Sequence, residues 1–116
     1  MKLPQRSRSA FADLAEISAT IVSDARMAAI HQRFLSIAGP TDVITFQHGE
    51  IIVSAETARR NAGEYRRSPE NEIRLYIIHG ILHLMGFDDT TPAAARTMAK
   101  TQQAILAAAT GPQSPA

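Results

Sequence analysis

From Glu16 to Ser23 apolar and polar positions alternate, with Ile17, Ala19 and Ile21 pointing one way and Ser18, Thr20 and Val22 the other. This period of two, rich in β-branched residues, predicts a strand. The spacing then turns helical. Asp24 is placed to cap a helix by accepting from the free amides of its first turn. Met27, Ile30, Phe34 and Ala38 follow on one face, and Gly39-Pro40 provides the stop. Val43 to Phe46 reads as a short buried strand, Gln47-His48-Gly49 as a turn, and Glu50 to Ser54 as a returning strand with Ile51 and Val53 on one face. So short a connection predicts an antiparallel hairpin. Ser54 opens a polar helix that runs to about Tyr65.

The next helix is the best marked. Ser68 suits the N-cap, and Pro69 the first helical position, where no amide hydrogen is needed. Glu70 and Glu72 place negative charge in the first turn, where the helix dipole favours it. Ile73, Ile77, Gly80 and Leu84 follow at spacings of three and four, and Gly86 accepts the left-handed backbone that closes many helices. Thr91-Pro92 begins a last helix, with Met98, Ile105 and Leu106 as its apolar contacts and Gly111-Pro112 as its end. Residues 1–14 read as irregular and 111–116 as a frayed tail. The sum is one α+β domain over residues 1–116. A small mixed β-sheet packs against helices, and the helix from Pro69 lies in the core.

Composition narrows the class. The chain has 116 residues, which allows one modest core. Cysteine is absent, which excludes disulfides and thiolate metal sites. No apolar run is long enough to cross a bilayer, and no secretory signal opens the chain, so a cytoplasmic location is expected. A net charge of +1 makes no case by itself for nucleic acid. Arg59, Arg60, Arg66 and Arg67 do cluster within nine residues. Such a run is ordinarily a solvated helix face; the alternative is a phosphate-contacting patch.

The chemistry lies between His79 and Asp89. His79 and His83 are four apart on the predicted helix, so both imidazoles leave the same face. Gly86 turns the chain back, and Asp88 or Asp89 can swing a carboxylate beneath the rings. Two imidazoles and one carboxylate leave a coordination position for water, the pattern of catalytic metal sites. Two histidines at this spacing are also common as plain core or surface residues, and spacing alone does not separate the readings.

The run His-Gly-x-Leu-His-Leu-x-Gly-Phe-Asp at His79 to Asp88 resembles the signature of the YbeY family of metal-dependent endoribonucleases, described as rRNA maturation factors. Pro40-Thr41-Asp42-Val43-Ile44-Thr45-Phe46 is similar to the family's hairpin strand, and Gly49-Glu50-Ile51 to the residues after it. Met98, Ile105 and Leu106 stand where the family's last helix carries similar residues. The likeness runs from about Ala15 to Leu106. It implies a zincin-like fold, one zinc or other divalent ion per chain, and single-strand-specific cleavage in rRNA processing, at the 3′ end of 16S rRNA. Ribosomal RNA and the small ribosomal subunit are the partners it implies.

Two departures stand out. The family's third histidine falls on Asp89, so the implied ligands are His79, His83 and Asp89, a set also similar to two-histidine-one-carboxylate iron sites. Family members also carry a further strand and helix before the strand at Glu16. Here a trimmed domain, or a start placed too far downstream, is expected, with a sheet edge left unpaired.

On this reading the ion polarises a phosphoryl oxygen and activates a bound water. No separate base is assigned. Asp88 either holds its loop through backbone amides or supports a ligand histidine. Thr41 and Asp42 pack and cap the strand entrance; the alternative has Asp42 supporting a ligand or contacting substrate. Arg59 and Arg60 are the first candidates for phosphate contacts in a cleft at the end of the histidine helix. Two other readings stay open. One is a non-catalytic ribosome-assembly factor with a structural metal. The other is a zinc peptidase-like hydrolase, which would need Asp88 or Glu50 as base because Gly80 stands where such helices place a glutamate.

Overall fold

The computed structural model describes residues 16–110. The expected irregular start and frayed tail lie outside them. In chain order the elements are β1 (Ser18–Val22), α1 (Asp24–Leu35), β2 (Val43–Phe46), β3 (Glu50–Ser54), α2 (Ala55–Glu64), α3 (Pro69–Leu84) and α4 (Pro92–Thr110). The sheet order is β1-β3-β2. β3 pairs parallel with β1 (Ser18 opposite Glu50, Val22 opposite Ser54) and antiparallel with β2 (Val43 opposite Val53, Phe46 opposite Glu50). The expected α+β class and mixed sheet are what the chain forms.

The hairpin follows from its turn. Gly49 takes φ +102°, which a side chain would resist, and its amide donates to the Phe46 carbonyl at 3.0 Å. Strand alternation then splits the core. Val43, Ile51 and Val53 face α2 and α3, packing with Ala58, Tyr76 and Leu84. Ile44 and Ile52 face α1, packing with Met27. Each such fully buried aliphatic side chain contributes about 1.5–3 kcal/mol.

Three details differ from expectation. The cap of α1 is Ser23, whose Oγ accepts from the Arg26 amide at 3.2 Å, and Asp24 is the first helical residue. The Asp24 carboxylate turns instead to three stronger donors, Ser54 Oγ, Thr57 Oγ1 and Arg60 Nη1. α1 also ends at Leu35, with Ser36 at φ 55°, before Gly39-Pro40 is reached. Ala38 therefore lies beyond the helix, and Phe34 is 56% exposed, edge-on to Phe46. On α4, Met98 and Leu106 make the buried contact while Ile105 is 39% exposed.

The position of α3 depends on one residue. A Cβ on Gly80 would lie 2.9 Å from Thr45 Oγ1 and 3.0 Å from two side-chain atoms of Ile51. Both neighbours are buried in the sheet, so making room for a methyl group disturbs packed side chains. Helix preference favours alanine over glycine by about 1 kcal/mol, whereas overpacking costs about 1–3 kcal/mol. Gly80→Ala should therefore lower stability by about 1 kcal/mol, read as a reduced urea midpoint; an unchanged or raised midpoint would show that the sheet yields.

Asp24 ties the start of α1 to the start of α2. Its hydrogen bonds from Ser54, Thr57 and Arg60 hold the carboxyl down to about 2, from an ordinary 3.8. A lowered folded pKa means that the stabilisation is complete above the unfolded value and is lost as the acid form appears. Wild-type stability should thus fall between about pH 4 and pH 2, and Asp24→Asn should flatten that part of the curve while lowering stability at pH 7 by about 2 kcal/mol.

Candidate metal centre

α3 presents a polar stripe to one side of its sheet-packed face. Glu72, Tyr76, His79 and His83 recur at intervals of four, three and four, and so line up along the helix. His83 is buried at 3% exposure, while the side chain of His79 is 26% exposed. The end of the helix completes the group. Gly86, at φ +100°, donates to His83 O at 3.1 Å, and Phe87 donates to Leu82 O at 2.9 Å. This paired capping pattern reverses the chain within one turn. It brings Asp89 back beneath the rings, with Oδ2 3.8 Å from His79 Nε2 and 3.9 Å from His83 Nε2.

The hydrogen bonds at the far side of each ring decide the chemistry. His83 Nδ1 donates to the Phe87 carbonyl at 3.1 Å, and His79 Nδ1 donates to the side-chain oxygen of Gln102 on α4. Both partners are acceptors, so Nδ1 carries the proton and Nε2 a lone pair. The two Nε2 atoms stand 2.8 Å apart. Two lone pairs at that distance repel unless a positive charge, a proton or a metal ion, lies between them. A shared proton needs no third donor, yet Asp89 supplies one. A point about 2.1 Å from all three donor atoms exists within their triangle, matching metal–nitrogen and metal–oxygen bonds of about 2.0–2.2 Å. The residues fit a metal ion: His79, His83 and Asp89 form a group that could hold one.

A cleft of about 370 Å³ opens beside this group, lined among others by Asp42, Arg67, Glu72, Tyr76 and Gln102. Tyr76 accepts from Asn61 Nδ2 at 2.6 Å, and burial, with help from the Glu72 and Asp42 charges, pushes its hydroxyl up to about 12. Asp42 Oδ1 accepts from its neighbour's amide, Val43 N, at 2.8 Å, so it caps the strand entrance as well as lining the cleft.

Other expected residues lie elsewhere. Asp88 accepts from the amide and hydroxyl of Thr90, at 3.2 and 3.0 Å, and holds its loop; the support for His83 comes from the Phe87 carbonyl instead. Glu50 pairs with His48 on the opposite side of the sheet and lines a different groove. Gly80 faces the sheet, so this helix has no room for the glutamate base of a peptidase. Arg60 is engaged by Asp24, and neither it nor Arg59 lines the cleft; Arg67 does. Gln102, Tyr76 and Glu72 were not singled out from the sequence as site residues, although the stripe that carries the last two could have been read at helical spacing.

Comparison with known proteins identifies the family. A family model described as Endoribonuclease YbeY matches residues 3–110. Proteins named Endoribonuclease YbeY are similar to the chain: one from Moorella thermoacetica is 37% identical over 80% of this chain and 72% of its own length. One from Frankia alni is 34% identical over 81% and 63%, and one from Chloroherpeton thalassium 39% identical over 80% and 71%. The solution structure of a Thermotoga maritima protein superposes with a TM-score of 0.64 at 29% identity, covering 85% of this chain and 70% of that one. Among the described residues no helix is long and apolar enough to cross a membrane. With the signature on α3, the hairpin motif and the matched family model in agreement, the chain belongs to the YbeY endoribonuclease family.

Proposed function

We propose that this chain is a metal-dependent endoribonuclease of rRNA processing, with His79, His83 and Asp89 holding one zinc ion. The observation that carries the reading is the convergence of two Nε2 atoms and a carboxylate oxygen on one point. When bound, the ion supplies a Lewis acid for a phosphoryl oxygen and a nucleophilic water at neutral pH. The chain's own groups do the rest. Gln102 and the Phe87 carbonyl hold the two rings in the ligating tautomer, and Tyr76 and Arg67 line the space for a nucleotide. The substrate is single-stranded RNA of the small ribosomal subunit, at the 3′ end of 16S rRNA, and the place of action is the cytoplasm; family membership supports these assignments.

Asp89 favours a second reading. A carboxylate in place of the family's third histidine lowers the charge of the site by one unit, so the ion acidifies its water less. A protein that binds rRNA in assembly without cutting it fits that substitution.

Metal content by mass spectrometry, with cleavage of a short single-stranded RNA, separates the two. Wild type should hold about one ion per chain and cut the RNA; His83→Ala should lose both. Metal held without cleavage would favour assembly, and cleavage persisting in His83→Ala would overturn the metal mechanism. Asp89→His should keep the ion, whereas Asp89→Ala should lose it. Gln102→Leu frees the His79 ring and should weaken metal binding by about 10–100-fold, measured by competition with a chelating dye; unchanged affinity would remove Gln102 from the site.

A further inference from the structure

We propose that Arg67 is the phosphate contact of the cleft, gripping the backbone of single-stranded RNA beside the metal centre. This rests on the endoribonuclease reading and adds the residue that recognises the substrate's charge.

Three observations converge on it. First, among the described residues Arg67 is the only Lys or Arg lining the cleft, against the carboxylates of Asp42, Glu72 and Asp89. A divalent ion and one guanidinium balance those three charges. Without Arg67 the cleft keeps one negative charge towards an anionic substrate.

Second, the side chain is held for the task. Its Nε donates to Glu72, whose side chain is only 2% exposed, and its guanidinium lies 5.2 Å from the centre of the Tyr65 ring. Among the described residues that is its one side-chain hydrogen bond, so Nη1 and Nη2 remain to donate to phosphate oxygens in the bidentate geometry guanidinium favours. Such an arginine, fixed at Nε and open at its fork, loses little entropy on binding.

Third, the backbone before it is strained. Arg66 adopts φ 56°, a left-handed conformation that a side-chain-bearing residue resists. The turn lets the Arg67 amide donate to Ala62 O at 2.8 Å while its side chain enters the cleft. A left-handed residue also closes α1 at Ser36; after α2 the same helix-ending turn aims Arg67.

A plainer role exists: Arg67 neutralises the buried Glu72. The test has to separate the two. Binding of a fluorescein-labelled single-stranded RNA, by anisotropy at several salt concentrations, is measured for the metal-loaded protein without cleavage-dependent readout. Arg67→Lys keeps a charge for Glu72 but has no fork. Arg67→Ala with Glu72→Gln removes the pair together, so no buried charge is stranded. Arg74→Ala, on the exposed side of α3, controls for total charge.

Arg67→Lys should keep its thermal midpoint and metal content yet bind RNA several-fold more weakly. The double variant should lose about tenfold in affinity, with the log–log salt slope reduced by about 0.7, the share of one phosphate contact on a single strand. Arg74→Ala should match wild type. If both Arg67 variants bind with wild-type affinity and slope, the arginine is structural and the proposal fails while the metal reading stands. If metal-loaded wild type does not bind RNA at all, both fall together.

Discussion

The close approach of α3 to the sheet at Gly80 is the constraint on which the site depends. With no side chain at that position, the helix sinks until its backbone meets Thr45 and Ile51. That contact fixes both the depth and the rotation of the helix. Once Gly80 points at the sheet, helical geometry leaves Tyr76, His79 and His83 on the flank, facing the cleft and α4. The same contact explains why a nuclease and a peptidase built on similar helices part company here. The position after the first histidine is spent on packing, and no base can be carried there.

Around that anchor the ligands come from separate pieces of structure, each positioned by local chemistry. The imidazoles ride on α3. Their orientation comes from outside the helix: a loop carbonyl for His83 and a side chain of α4 for His79. Asp89 arrives by a turn that Gly86 alone makes cheap. Each orienting bond places the lone pair on Nε2, and the two Nε2 atoms meet at 2.8 Å. The fold thus brings together donors that repel one another, and a cation relieves that repulsion.

What was legible in the sequence was local. The caps at Ser54 and Ser68, the hairpin turn and the run to Gly86 depend on neighbours in the chain, and all appear where the pattern put them. The grouping of His79, His83 and Asp89 was legible because the three lie within eleven residues. What was not legible came from tertiary contacts. Asp24 looked like a cap because only its own helix could be seen; its actual partners lie thirty and more residues away. Phe34 was placed in the core by its spacing, but its helix ends one residue later and the ring, edge-on to Phe46, stays more than half exposed. Gln102 was invisible as a support because it reaches His79 across 23 residues of sequence.

The arginine cluster shows the same limit most clearly, since charge along a chain says little about where charge points. Four guanidinium groups within nine residues read as one patch. The fold divides them. Arg60 neutralises Asp24 at the junction of α1 and α2, Arg59 faces solvent, and Arg66 bends the chain. Only Arg67 turns into the cleft, where a buried carboxylate holds it. With Asp89 in place of a neutral imidazole, the ligand set carries one more negative charge than three histidines would. The cleft then depends more on Arg67 to remain acceptable to an anionic strand. In this chain the ligand substitution and the arginine act on the same quantity, the charge that an incoming phosphate meets.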